Sequence, residues 1–110
     1  MATILVVDDQ EITREVAVMM LDGHNVLQAG SGPEALEVLK VQTVDLVVSD
    51  IQMPGMSGFD LRDRVPDRKF LFMSGYVFNG DQHRVGNSPL LMKPFKMKEF
   101  IAEVEKILGG

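Results

Sequence analysis

The sequence contains no cysteine among its 110 residues, which excludes disulfide bonds and thiol catalysis. It has no tryptophan, and no apolar run approaches the length that a membrane-spanning helix requires. Basic residues are in deficit, since 11 lysines and arginines stand against 16 acids, for a formal charge of −5. That balance argues against direct nucleic-acid binding, which needs a basic surface. Without a signal-peptide pattern or a membrane segment, the chain is predicted to be cytoplasmic.

The apolar residues form short runs that alternate with amphipathic stretches. Continuous apolar runs are typical of strands that are buried on both faces. Because parallel strands need crossover connections, the alternation predicts a doubly wound α/β sheet in a single domain over residues 1–110. Most of the eight methionines are expected at core positions. Strands are predicted at 3–7, 25–29, 45–49, 69–73 and 89–92, and helices at 10–21, 31–40, 59–64 and 96–108.

Polar residues follow four of the five predicted strands. In chain order they are Asp8 with Asp9, Asp50, Ser74 and Lys93. The carboxyl ends of parallel strands lie at one edge of a sheet, where such folds bind ligands. Three carboxylates at that edge repel one another unless a cation neutralises them, and an all-oxygen set favours Mg²⁺. A lysine and a serine beside them would bind phosphoryl oxygens. The pattern predicts phosphoryl transfer in which a carboxylate is the nucleophile.

The same residues lie in motifs that resemble a known family. The chain contains VVDD, SDIQMPGMSG, MSGY and KPF in this order, each at the end of a predicted strand. With these motifs it resembles the receiver domains of response regulators in two-component signalling, over nearly its whole length. The resemblance implies a flavodoxin-like sheet with strand order 2-1-3-4-5.

The resemblance also implies a role for each site residue. Asp50 would be the phosphoacceptor, and Ser74 and Lys93 would contact the phosphoryl group. The donor would be a histidine kinase or a histidine phosphotransfer protein, and the downstream effector is not identified. The peptide bond between Lys93 and Pro94 would be cis. Mg²⁺ would be held by Asp9, by Asp50 and by the backbone carbonyl of Gln52. Asp8 would contribute more indirectly.

Two features depart from the receiver pattern. Receivers normally carry tyrosine or phenylalanine three residues before the lysine, as a rotamer switch, and Leu90 stands there in this chain. The segments from Gly58 to Ser74 and from Ser74 to Lys93 are also short for the family, which predicts an abbreviated third helix and a fourth helix that is abbreviated or missing. We therefore expect a muted or unusual conformational response over residues 76–92.

Each site residue taken alone has an ordinary structural explanation, such as a helix N-cap for Asp9 or a solvated lysine for Lys93. These explanations would have to hold at four strand ends together, so a phosphorylation-controlled receiver is favoured. The alternative is a receiver-like interaction scaffold that acts independently of phosphorylation, as Leu90 and the short helices suggest. A hydrolase of small phosphate esters is disfavoured because no cap segment is present. Catalysis is expected only for phosphorylation and dephosphorylation of Asp50 itself.

Overall fold

The computed structural model describes residues 1–75 and 82–109, which form a five-stranded parallel sheet with helices on both faces. The strand order is β2-β1-β3-β4-β5, so the predicted doubly wound arrangement is confirmed. Predicted element ends differ from the observed ones by at most one residue. The elements are β1 (Thr3–Val7), α1 (Glu11–Met20), β2 (Asn25–Ala29), α2 (Gly32–Val41), β3 (Leu46–Asp50), α3 (Gly58–Arg64), β4 (Phe70–Ser74), α4 (Gln82–Val85), β5 (Leu90–Met92) and α5 (Met97–Ile107).

Two apolar clusters cover the two faces of the sheet. Every residue of β3 and β4 is buried, as the continuous apolar runs predicted. On one face Phe59 of α3 packs edge-on against Phe72 of β4, with ring centroids 5.1 Å apart. On the other face, Phe100 and Val104 of α5 pack against the strands. Each such side chain stabilises the fold by roughly 1.5–3 kcal/mol when buried.

The third and fourth helices are short, as predicted. Helix α3 has seven residues and begins with a capping box, in which Ser57 Oγ accepts from the amide of Asp60 at 3.1 Å. The Asp60 carboxylate accepts from the amide of Ser57 in return, also at 3.1 Å. Helix α4 has four residues. Tyr76 and Gly80, in the segment between β4 and α4, lie outside the described residues.

An arginine of α3 fastens the short α4 to the domain. Arg62 donates from Nη1 to the carbonyl of Val85 and to Ser88 Oγ, both at 3.1 Å. Its Nη2 donates to the carbonyl of Arg84. Carbonyl oxygens at the end of a helix have no partner within the helix, so Arg62 supplies donors that α4 itself lacks. Hydrogen bonds from a charged donor are stronger than neutral ones.

A second arginine makes the reciprocal contacts from α4 to α3. Arg84 Nη2 lies 3.0 Å from Asp60 Oδ1 and 3.3 Å from Asp63 Oδ2. Its guanidinium also lies over the ring of Phe59, 5.0 Å from the centroid. We call Arg62 and Arg84 with these partners the α3–α4 arginine clamp. The clamp holds α4 in place, because a helix of four residues is too short to be held by an apolar stripe.

Helix α1 leaves part of its apolar surface uncovered. Ala17 is buried, whereas Ile12, Val16 and Met19 are 67%, 41% and 77% exposed. These three residues, spaced by four and three positions, form what we call the α1 apolar face. The prediction that most methionines lie in the core is wrong, because four of the eight are exposed: Met1, Met19, Met92 and Met97. Among the described residues, no helix is long and apolar enough to cross a membrane.

Candidate functional site

The strand ends bring the predicted site residues together at one edge of the sheet. Asp8 directly follows β1, Asp50 ends β3, Ser74 ends β4, and Lys93 directly follows β5. The amide of Lys93 donates to the carbonyl of Ser74 at 2.7 Å, which extends the pairing of β4 and β5 into the site. Asp9 follows Asp8 before α1 begins. Sheet order and strand direction thus place residues from four distant parts of the chain beside one another.

Three carboxylates form the acidic part of this site. Oxygens of Asp8, Asp9 and Asp50 lie within 4.8 Å of one another. Asp8 is fully buried and Asp50 is 8% exposed, whereas Asp9 is exposed. Two oxygens on opposite sides of a Mg²⁺ ion are about 4.2 Å apart, given its short ligand distances. The spacing of the cluster therefore fits a shared Mg²⁺ ion.

Lys93 supplies the positive charge of the site. Its Nζ lies 3.3 Å from Asp50 Oδ2 and 3.4 Å from Asp8 Oδ2, so the ammonium group bridges the two buried acids. One ammonium cannot neutralise three carboxylates, and the surplus negative charge attracts a cation. The peptide bond from Lys93 to Pro94 is cis, as predicted.

Burial raises the pKa of Asp50 above its ordinary value of 3.8. The Lys93 ammonium lowers this pKa by its charge and by a hydrogen bond, whereas the charge of Asp8 raises it and the amide of Gln52 lowers it. The net direction is upward, because desolvation of the charged form is the largest contribution. Asp50 is therefore a stronger base than a surface aspartate.

A buried hydroxyl and a glutamine complete the site. Ser74 is fully buried, and its Oγ donates to Gln52 Oε1 at 2.6 Å. The amide of Gln52 donates to Asp50 Oδ1 at 3.3 Å. The sequence predicted that Ser74 and the backbone of Gln52 lie at the site of Asp50. It did not predict the contact between the side chains of Ser74 and Gln52. Gln52 stands two positions after Asp50, and that spacing, with an amide side chain, is the signal that could have indicated the contact.

The chain after Asp50 turns tightly because of Gly58. The amide of Gly58 donates to the carbonyl of Ile51 at 2.9 Å. A Cβ atom at position 58 would collide with the carbonyl oxygen of Asp50. A glycine is thus required for the loop to close behind the carboxylate. A second contact that was not predicted lies at β1, where Arg14 Nη1 donates to the carbonyl of Asp8 at 2.7 Å.

An apolar groove of about 230 Å³ lies between α1 and α5. Ile12, Val16 and Met20 line it from α1. Met73, which precedes Ser74, and Phe95, two residues after Lys93, line it from the site side. Two residues of the α1 apolar face, Ile12 and Val16, thus share the groove with residues that are close in the chain to Ser74 and Lys93.

Residues 4–105 match the family model of the response regulator receiver domain. The chain belongs to this family. Its members are signalling domains rather than classical enzymes, and receivers bind Mg²⁺ at an acidic pocket like the cluster of Asp8, Asp9 and Asp50. The family, the flavodoxin-like fold and the placement in two-component signalling, all predicted from the sequence, are thereby confirmed.

Relatives of this receiver include both kinases and regulators. Over 118 residues it is 37% identical to the sensor kinase CckA of Brucella abortus, covering 97% of this chain but only 12% of CckA. It is 32% identical to the response regulator receiver protein CpdR of the same organism, covering 98% of both chains. Among solved structures, the response regulator TrrA of Thermotoga maritima, in complex with Mg²⁺ and BeF, is 30% identical with a TM-score of 0.84, over 97% of this chain and 99% of TrrA.

The raised pKa of Asp50 predicts a pH-dependent gain in stability for Asp50→Asn without Mg²⁺. Below pH 3.8 the carboxyl is protonated in both the folded and the unfolded state and has no effect. As pH rises, the folded receiver keeps this proton longer, so the stability of the wild type falls through the interval up to the raised pKa. Urea unfolding at pH 4 to 7.5 should show the advantage of Asp50→Asn growing over this interval.

The exposed Asp22→Asn serves as the matched control, since it removes a carboxylate outside the site. The pH dependence of the Asp50→Asn advantage is read relative to this control. An Asp50→Asn advantage that is constant with pH, or that shrinks as pH rises, would contradict the desolvation of Asp50.

Proposed function

We propose that this receiver takes a phosphoryl group from a phosphohistidine donor onto Asp50 and signals by the phosphorylated state. The observation that carries the proposal is the buried Asp50 carboxylate, 3.3 Å from Lys93 and within one cluster with Asp8 and Asp9. Three acids held together against their mutual repulsion have no structural purpose in a fold of this kind. Binding a cation, and through it an incoming anion, gives the three acids a purpose.

The transfer is a substitution at phosphorus. A carboxylate oxygen of Asp50 forms the new bond to phosphorus, and the bond from phosphorus to the donor nitrogen breaks with its electron pair going to the imidazole. The Lys93 ammonium, which bridges Asp50 and Asp8 before transfer, is placed to follow a phosphoryl oxygen. The Ser74 hydroxyl is placed to donate to another. These contacts neutralise charge at the reacting group, which is the main catalytic contribution in phosphoryl transfer.

Mg²⁺ would be held by Asp8, Asp9 and Asp50 together with the backbone carbonyl of Gln52. When bound, the ion supplies the positive charge that the phosphoryl oxygens and the three carboxylates share. Among these acids Asp9 is the exposed one, which suits a direct ligand that meets the ion from solvent. The buried Asp8 is already engaged with Lys93 and with the amide of Gln10, at 2.9 Å.

Incubation with acetyl phosphate tests the site without a protein donor. The wild type should gain the mass of one phosphoryl group in the presence of Mg²⁺ and none after chelation, as recorded by intact mass spectrometry. Asp50→Asn should gain none, because the amide is not a nucleophile. The exposed Asp22→Asn should behave as the wild type.

The same experiment separates the receiver from the scaffold alternative. A scaffold has no need of Mg²⁺, so neither Mg²⁺ binding nor modification is expected of it. Failure of the wild type with acetyl phosphate and also with phosphohistidine proteins would favour the scaffold. The cytoplasmic location stays a prediction.

The α1 apolar face is the surface that we propose for the donor protein. Ile12 and Val16 belong both to this face and to the groove that Met73 and Phe95 also line, and these two residues are close in the chain to Ser74 and Lys93. A donor has to place its histidine over the carboxylate edge, so its own surface must rest beside that edge. Exposed aliphatic and methionine side chains on a helix suit an apolar helical surface. Sensor kinases among the relatives of this chain support a histidine kinase or a histidine phosphotransfer protein as this partner.

Met19→Glu should slow phosphotransfer from a phosphorylated histidine phosphotransfer protein by roughly tenfold or more, the loss expected for a charge buried in an interface. Modification by acetyl phosphate should be unchanged, because Met19 does not line the acidic site. Val41→Glu on α2 is the matched control, since Val41 is 78% exposed and Met19 is 77% exposed. Equal rates for the two variants with the protein donor would exclude the α1 apolar face.

The conformational response is proposed to be muted around α4. Leu90 is half-buried and packs against the cluster around Phe59 and Phe72, and it carries no aromatic ring to move in or out. The α3–α4 arginine clamp fixes the end of α4 from the other side. Both features restrict the segment that precedes Lys93.

Amide NMR spectra with Mg²⁺ and beryllofluoride measure this response. In the wild type, residues 82–92 should shift no more than residues of β2, at the far edge of the sheet. Arg62→Met, which removes three hydrogen bonds to α4 and Ser88, should enlarge the shifts over 82–92. The exposed Arg64→Met on the same helix is the control. Large shifts over 82–92 in the wild type would contradict the proposal.

A further inference from the structure

The side chains of Ser74 and Gln52 share a short hydrogen bond at the phosphorylation site. Ser74 Oγ donates to Gln52 Oε1 at 2.6 Å, at the short end of the range for hydroxyl donors. Ser74 is fully buried, so water does not readily replace this acceptor. A hydroxyl group carries one proton and donates to one acceptor at a time. While Ser74 donates to Gln52, it does not donate to a phosphoryl oxygen on Asp50.

We propose that Gln52 is a positioning residue that restrains phosphorylation by holding the Ser74 hydroxyl. The inference rests on the proposed function of Asp50 and adds a regulatory part for one side chain of that site. Phosphorylation requires the Ser74 proton to leave the Gln52 amide oxygen for a phosphoryl oxygen. The unphosphorylated state is stabilised by the Ser74–Gln52 bond, and the phosphorylated state does without it.

The backbone of Gln52 is fixed independently of its side chain. Its amide donates to Asp50 Oδ1 at 3.3 Å, and the preceding amide, of Ile51, donates to the carbonyl of Met73 at 3.1 Å. From this fixed point the side chain reaches from the end of β3 to Ser74 at the end of β4. Substitution of the side chain therefore leaves in place the main-chain contacts that orient Asp50.

The direction of the effect follows from the two acceptors. The Gln52 amide oxygen is neutral, whereas a phosphoryl oxygen is anionic and accepts a stronger, charge-assisted hydrogen bond. The hydroxyl therefore turns to the phosphoryl group once it is present. The equilibrium of phosphorylation depends on the difference in interactions between the two states. The free energy that Ser74 gains by donating to the phosphoryl group is therefore reduced by the free energy of the hydrogen bond to Gln52 that is lost. A side chain at position 52 without a hydrogen-bond acceptor avoids this loss and favours the phosphorylated state.

Gln52→Met tests the inference, since methionine matches glutamine in length and lacks the amide oxygen. The dissociation constant for beryllofluoride is measured by titration at saturating Mg²⁺, followed by amide NMR. We expect binding to become roughly two- to tenfold tighter, the range that one net hydrogen bond contributes to an equilibrium. Gln52→Ala provides a second variant with the same expected direction.

A double-mutant cycle with Ser74→Ala separates positioning from a general structural effect. In the Ser74→Ala background, Gln52→Met should leave the dissociation constant for beryllofluoride unchanged, since no hydroxyl remains to be held. Binding by both Gln52 variants that is unchanged or weaker than that of the wild type would overturn the inference. The same gain in beryllofluoride affinity on Gln52→Met in the Ser74→Ala background would also overturn it. A wild type that binds no beryllofluoride at all would overturn the proposed function itself, and the inference with it.

Discussion

Desolvation of the Asp8 and Asp50 carboxylates is the constraint on which the rest of the site depends. Each buried charge of this kind costs several kcal/mol unless partners compensate for it. Neighbouring parallel strands β1 and β3 end at the same edge and hold the two acids together. Lys93, arriving from β5, offsets part of the cost by contacting both. The remaining negative charge of the edge favours a cation.

The same apolar sheet that raises this cost also makes the site effective. Charges interact more strongly where water is excluded, so the Lys93 contacts gain from the burial that disfavours Asp50. Asp9 and the α1 apolar face lie on the exposed side of the cluster, where access is needed. Stability and access are thus divided between Asp8, which is fully buried, and α1, whose Ile12 and Met19 remain uncovered.

Sequence patterns predicted the sheet order and the strand-end residues, because parallel topology converts position along the chain into position at one edge. They could not predict contacts between side chains that no local period connects. Arg62 lies in a charged stretch that is typical of a solvated helix face, yet it bonds to carbonyl groups more than 20 residues away. Likewise, the sequence predicted helix α1 but not that its Ile12, Val16 and Met19 would remain exposed. An apolar stripe that packs against the core and one that stays exposed have the same spacing in the sequence.

Ser74 connects the phosphorylation site to the neighbouring strand by its backbone as well as by its hydroxyl. Its carbonyl accepts from the amide of Lys93 at 2.7 Å, so the ends of β4 and β5 are held at fixed spacing. Helix α4 is held by the arginine clamp, and Leu90 has no ring to relocate. A protein that distinguishes the two states of Asp50 must contact atoms that differ between them. In the proposed mechanism, with α4 restrained, the groups that would exchange partners are the Ser74 hydroxyl, the side-chain amide of Gln52 and the Lys93 ammonium, all at the carboxyl edge of the sheet. On the proposed function, recognition of the phosphorylated receiver would occur beside that edge.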